Sequence, residues 1–260
     1  MIFDSLGNLP TSIVVTTESA EKEMSVKAPA NWIHDDICVE IKENASACSV
    51  SLSASKSAVK FITLSWPCKS VSGFRLLGDH WERGYGDLEW RCIVPERRMP
   101  WVVIATDGKS TEAAGVLTNP SAFCAWTFDG SFLKLQLDVR NGSCGVNLGK
   151  RKLQVAAYTR YRSSREMSPY AAVCEFFKTL HKTVRLPKFP VYGANDWYYR
   201  YGENSAESVL LDAGIAAEFA TNKENPPFMI IDDGWQKRTD WDFDAGGEHH
   251  RHQGQFGGLG

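Results

Sequence analysis

No stretch of this chain approaches the roughly 20 consecutive apolar residues that a membrane-spanning helix needs, so no span is expected. The opening, MIFDSLGNLP, lacks the basic segment and apolar run of a secretory leader. Neither sign of charge is in excess. With 29 Lys and Arg against 31 Asp and Glu, the net charge is −2, which calls for neither nucleic acid nor an anionic membrane as partner. The seven cysteines are scattered, odd in number and never in a CxxC pair, which argues against a zinc site. Several alternate with apolar residues, as in Cys48-Ser-Val-Ser-Leu, and buried free thiols in a reducing compartment are the reading. Together with the absent leader, that makes the cytoplasm the expected location.

What is present is an ordinary globular composition, 43% hydrophobic and 23% charged. Its 260 residues suffice for one large or two ordinary domains. The nine tryptophans are compatible with carbohydrate binding, although large β cores use tryptophan as readily.

From residue 11 to about 165 the apolar period is two. Ile37, Val39 and Ile41 alternate with polar residues, as do Cys48, Val50, Leu52 and Ala54, then Ile62, Leu64 and Trp66. Leu133, Leu135, Leu137 and Val139 form the cleanest series, and Leu153, Val155 and Ala157 follow. Asp107-Gly108, Asp129-Gly130 and Asn141-Gly142 supply turns. Many short strands with turn residues between them predict an antiparallel β-sandwich over 1–166. A helix and linker over 167–190 come next. Ser168 and Pro169 open the helix, Ala172, Cys174 or Glu175, Phe176, Phe177 and Leu180 follow at helical spacing, and TVRLPKFP reads as an extended linker.

Beyond Pro190 the order is strand, helix, strand. VYGANDWYY begins as a short strand. Asn204 is predicted to cap a helix over about 205–221 with Glu207 as its capping-box partner, and FMII forms the second strand. In parallel α/β architectures ligands bind at the carboxyl ends of strands. Two polar-aromatic clusters occupy such ends: Asn195, Asp196, Trp197, Tyr198 and Tyr199 after the first strand, and Asp232, Asp233, Gly234 and Trp235 after the second. Carboxylates accept hydroxyl hydrogen bonds and a tryptophan face stacks on a sugar ring, so the combination reads as a monosaccharide subsite. Two plainer readings stand beside it. An aspartate after a strand is often a turn former, and paired aspartates can hold magnesium.

GANDWYYRYG at 193–202, a helix, and MIIDDGWQ at 229–236 resemble the first two barrel strands of the α-galactosidase clan, above all glycoside hydrolase family 36. LGDHWERGYGDLEW (77–90), NPSAFCAWTFD and LGKRKL resemble the β-sandwich that precedes the barrel in that family. The resemblance implies a multidomain β plus α/β chain, with residues 191–260 holding the first βαβ portion of a (β/α)8 barrel that ends after about two strands. It implies that Asp232 and Asp233 hold hydroxyls of a terminal galactose, those at C4 and C6. Trp197 lines the same subsite, Trp235 lines or buttresses it, and Asp196 belongs to it as well. Many family members carry another polar residue where Asp196 stands, which points to a sugar preference other than plain galactose.

The function implied is part of a retaining glycoside hydrolase acting on terminal α-linked galactosides, with an α-linked oligosaccharide or glycoside as substrate and neither cofactor nor metal. Oligomeric state is open, a homo-oligomer included. Retaining enzymes use two carboxylates about 5–5.5 Å apart, and adjacent residues at one strand end do not straddle a glycosidic bond. A (β/α)8 barrel takes about 250 residues. The resemblance places the nucleophile and the acid/base after later barrel strands, beyond Gly260. A non-catalytic carbohydrate-binding fragment, a related α-glycosidase or transglycosylase with another sugar preference, and a metal-dependent domain built on the acid pair are the alternatives. Three remaining clusters read as follows. WERGYGD (81–87) is an inter-sheet loop or one that reaches substrate. The basic run over 149–165 is a solvated strand face rather than a nucleic-acid surface. His249, His250 and His252 lie in a polar, glycine-rich tail and read as a solvated loop rather than a metal site.

Overall fold

The computed structural model describes residues 3–68, 73–81, 89–164, 166–181, 183, 185–220 and 223–235. The chain forms two compact units, Met1–Val184 and Arg185–Gly260. Residues 82–88, on which the expected inter-sheet loop falls, and the segment with His249, His250 and His252 lie outside the described residues.

The first unit is built from strands. In chain order they are β1 (Ser12–Thr17), β2 (Glu21–Glu23), β3 (Ser25–Ala28), β4 (Asn31–His34), β5 (Ile37–Glu43), β6 (Cys48–Ala54) and β7 (Val59–Pro67). Then follow β8 (Arg75–Gly78), β9 (Met99–Pro100), β10 (Val102–Thr106), β11 (Thr111–Val116), β12 (Phe123–Phe128), β13 (Phe132–Asp138) and β14 (Lys152–Arg162). They make a six-stranded sheet, β2-β1-β7-β13-β12-β9, and an eight-stranded sheet, β3-β4-β5-β6-β14-β11-β10-β8. Their inner faces share one hydrophobic core, in which Trp66 of one sheet meets Tyr158 of the other at 5.3 Å between ring centroids.

The alternating residues read from the sequence supply that core. Ile37, Val39, Ile41, Val50, Leu52, Ile62, Leu64, Trp66, Leu133, Leu135 and Leu137 are all fully buried. A strand with one face on the core must alternate, because successive side chains point to opposite faces. The three turn dipeptides also close turns: Gly108, Gly130 and Gly142 have positive φ, and the Asp107 and Asp129 carboxylates each accept two backbone N–H groups of their own turn.

One stretch departs from the expected alternation. In β14 the register against β6 shifts between Gln154 and Ala156, so Val155 is an extra residue. Beyond this bulge the inward set changes parity, and Ala156 and Tyr158 face the core in place of Ala157. The cysteines also depart from expectation. Cys124 is buried, and burial pushes its thiol up to about 12, whereas Cys92, Cys144 and Cys174 are exposed.

Strands β10 and β11 are buried on both faces. Their outer face is covered by α1 (Pro169–Thr179), which belongs to the first unit and is capped by Ser168 through its hydroxyl to the Ala171 N–H. Phe176 and Leu180 pack on Val102, Ile104 and Ala113. At the chain's start Phe3 and Leu6 enter the main core, and the Phe3 N–H donates to the buried Glu112 carboxylate at 2.8 Å. Arg162 reaches both Glu112 and Asp4, and Lys152 pairs with Glu40, so two cations of the basic run have acidic partners on the sandwich.

The second unit contains β15 (Gly193–Asn195), a helical turn α2 (Trp197–Arg200), α3 (Ala206–Glu218) and β16 (Phe228–Ile230). The two strands are parallel. Among the described residues no third strand joins them, so the start of a barrel is compatible with this unit but a barrel is not seen. The cap of α3 differs from the expected one. Ser205 caps it, with Ser208 completing a reciprocal capping box at 3.2 and 2.9 Å, while Asn204 is drawn inward.

Candidate functional site

The parallel register sets Gly193 opposite Phe228 and Asn195 opposite Ile230, so both strands end at the same level. The segments that follow, 196–204 and 231–235, therefore leave from one edge and interlock.

Asn195 starts the interlock. Its Oδ1 accepts the Trp197 N–H at 2.8 Å, and its Nδ2 donates to Asp232 Oδ2 at 2.8 Å. Asp196 is wholly buried. Its Oδ1 accepts the backbone N–H of Asp232 at 2.9 Å, and its Oδ2 accepts Nδ2 of Asn204 at 3.2 Å. The same Asn204 nitrogen also donates to the carbonyl of Asp233 at 3.0 Å. A buried carboxylate is tolerated when donors satisfy it, and here each oxygen has one. Asp232 Oδ1 in turn accepts the Asp233 N–H at 2.9 Å.

The two aspartates of the pair are thus unlike. Asp232 is half-buried, with one hydrogen bond already made by each oxygen. Asp233 is exposed, and no donor among the described residues reaches its carboxylate. Trp197 is half-buried, its ring edge-on to Tyr201 at 6.0 Å. Trp235 is 57% exposed, and Tyr198, Tyr199 and Tyr201 are exposed too. Gly202 and Gly234 both have positive φ, and a Cβ on Gly234 would collide with the Gly202 backbone. At Gly234 nothing larger fits, and at Gly202 the positive φ, rather than a want of space, favours glycine.

On the far side of α2, Arg200 pairs with Asp212 of α3 at 3.1 Å, and the Tyr199 hydroxyl donates to the same carboxylate at 3.0 Å. Desolvation, and then the Asp212 carboxylate, raise the Tyr199 phenol above its ordinary value. A cavity of about 430 Å³ beside α3 is lined by Tyr192, Tyr199, Asp212, Ile215, Phe219 and Pro227, and it includes neither member of the acid pair. Among the described residues no group of three or more His, Cys, Asp or Glu side chains is placed to hold a metal ion. No helix among them is long and apolar enough to cross a membrane.

The structure therefore brings Asp196, Trp197, Asp232, Asp233 and Trp235 to one end of one strand pair. It separates them by exposure: Asp196 is turned inward, Trp197 and Asp232 are half-buried, and Asp233 and Trp235 face outward. Asn204 carries a role that the sequence did not signal. An asparagine just before a helix has a sufficient local reason to be there, and its burial is a tertiary fact.

No family model and no curated protein sequence matches the chain. Among solved structures it is similar to the family 36 α-galactosidase AgaA (A355E) of Geobacillus stearothermophilus in complex with 1-deoxygalactonojirimycin, at 12% identity and a TM-score of 0.43 over 86% of this chain and 39% of that one. It is similar to AgaB of the same organism at 12% identity and a TM-score of 0.41, again over 86% and 39%. A family 31 sulfoquinovosidase from E. rectale, in complex with an aza-sugar inhibitor, aligns at 11% identity and a TM-score of 0.39 over 72% and 33%. The chain spans about two fifths or less of these structures' lengths. Family 36 α-galactosidases, which the sequence resembles, are thus among the structures to which it is similar.

Proposed function

We propose that the edge formed by Asp232, Asp233, Trp197 and Trp235 is a monosaccharide subsite for a terminal α-linked galactose-type sugar. The chain then contributes the sugar-holding part of a retaining α-glycosidase. The observation that carries this is the state of the acid pair: one carboxylate fixed by Asn195 and the other exposed with no donor among the described residues, beside an exposed tryptophan face. An aspartate serving only as a turn former would have its oxygens on local backbone N–H groups, as Asp107 and Asp129 do. Asp233 does not. Its remaining use is to accept hydroxyl donors from outside, and a sugar presents these in adjacent pairs.

Within this reading Asp196 positions the pair from beneath and does not touch the sugar. No catalytic carboxylate is assigned to this chain. The substrate is an α-galactoside or a close epimer, and neither cofactor nor metal is needed to hold it. Calorimetric titration with D-galactose tests the reading: millimolar binding, about 4 kcal/mol, is expected for a single sugar held by a few hydrogen bonds. Loss of that binding in Asp233→Ala supports the assignment. Equal binding by the variant, or none by the unaltered chain, overturns it.

A further inference from the structure

We propose that Asn204 is the positioning residue of this subsite, and that its side-chain amide sets the placement of both aspartates by clamping one strand-end segment onto the other. The inference rests on the sugar-subsite reading for its functional meaning, but its structural content stands apart from it.

Three observations carry it. Asn204 is 4% exposed although it lies at a helix start, where Ser205 and Ser208 already provide the cap. Its capping capacity is unused, so its burial has another cause. Secondly, a single nitrogen, Nδ2, donates both to the Asp196 carboxylate and to the Asp233 carbonyl. Both partners are acceptors only, so the amide has one admissible orientation, and its buried Oδ1, which has no donor among the described residues, faces away from both. Thirdly, Asp196 passes the constraint on by accepting the backbone N–H of Asp232. Asn204 therefore fixes Asp233 directly through its carbonyl and Asp232 at one remove. Neither contact involves the outward carboxylate of Asp233. The amide acts on where that carboxylate stands, not on what it binds.

Three variants separate this role from simple packing. Asn204→Ala removes both bonds. Asn204→Asp keeps the volume but sets a second carboxylate against Asp196. The double exchange Asp196→Asn with Asn204→Asp reverses donor and acceptor across the buried pair. It leaves the Asp232 N–H a carbonyl acceptor, and it leaves the Asp233 carbonyl without its donor. Two readouts are taken on each: D-galactose affinity by titration, and hydrogen exchange at the Asp232 amide, which needs no sugar.

In Asn204→Ala, galactose affinity is expected to fall about tenfold, the equivalent of one lost hydrogen bond. Exchange at Asp232 accelerates while the amides of α3 keep their protection. Asn204→Asp is expected to be worse on both counts. The double exchange is expected to restore protection at Asp232 and to leave galactose affinity reduced, because Asp233 is still released. Wild-type affinity in Asn204→Ala, or in the double exchange, overturns the proposal. So does unchanged Asp232 exchange in Asn204→Ala. Should Asn204→Ala fail to fold, the volume-preserving double exchange decides on the same two readouts. If the unaltered chain binds no galactose while Asn204→Ala still frees the Asp232 amide, the sugar reading fails and the clamp stands.

Discussion

Asp232 and Asp233 are adjacent in sequence and differ in surroundings, and the difference predicts different phenotypes. The Asp233 side chain is exposed and touches no described donor, so Asp233→Ala is expected to change stability by no more than about 0.5 kcal/mol while removing galactose binding. Asp232 accepts from Asn195 and from the Asp233 N–H. Asp232→Ala is therefore expected to lower binding and also to cost the second unit about 1–2 kcal/mol, since Asn195 loses a partner. Thermal unfolding beside galactose titration separates the two outcomes. The pair itself was legible because two carboxylates at a strand end stand out locally. The partition between them was not, because it depends on Asn195 and Asn204, whose side chains are aimed by contacts 37 and 29 residues away in the chain.

At the level of elements, alternation was readable wherever one face of a strand meets the core and the other meets water. It failed at β14, where the bulge at Val155 changes parity part-way along a strand, something no periodic pattern announces. It was silent at β10 and β11, because α1 covers their second face and leaves no polar side to alternate with. That cover has an energetic weight. Phe176 is fully buried between α1 and the sheet, and Phe176→Ala is expected to destabilise the first unit by about 3–5 kcal/mol in denaturant unfolding followed by tryptophan fluorescence. The turn that joins β6 to β7 carries a pH dependence. The Asp36 carboxylate accepts from the Ser57 hydroxyl at 2.6 Å and from the backbone N–H groups of Lys56 and Ser57. The Ser57 hydroxyl, first of all, holds the Asp36 carboxyl well below the usual carboxylate range. Since the folded value lies below the unfolded one, this stabilisation is complete above the unfolded value of about 3.9 and is lost as pH falls toward the folded value. Asp36→Asn is expected to be less stable than the unaltered protein at pH 7. The gap in melting temperature should close as pH is lowered below about 4, and a gap independent of pH would refute the assignment.

Across the whole molecule the two units differ in how completely they bury their apolar side chains. The first closes two sheets on a continuous core. In the second, Leu210, Leu211 and Ile215 of α3, Phe219 just past its end, and Phe228 and Ile230 of β16 are half or more exposed, more than the singly scattered apolar residues of an ordinary surface. The chain as it stands is therefore expected to bind the dye ANS. Replacing Leu210 and Phe219 by glutamate is expected to remove most of that signal without altering the far-ultraviolet spectrum of the sandwich. The division into a β-rich part and a βαβ part was legible because the apolar period changes between them. The assignment of α1 to the sandwich was not, since only its contacts with Val102, Ile104 and Ala113 decide it.

The buried N-terminal segment bears on how such a chain comes together in time. Phe3 is held by Glu112, 109 residues downstream, and Asp4 by Arg162, 158 residues downstream. Chain closure over such separations is slow, and topologies dominated by it fold in milliseconds to seconds rather than microseconds. During synthesis at roughly 5–20 residues per second, this segment waits several seconds or more after its own emergence for its acceptor to emerge. Residues made well before their partners are thus among the last to find their places, and through that interval Phe3 and Leu6 are apolar side chains with no core to enter.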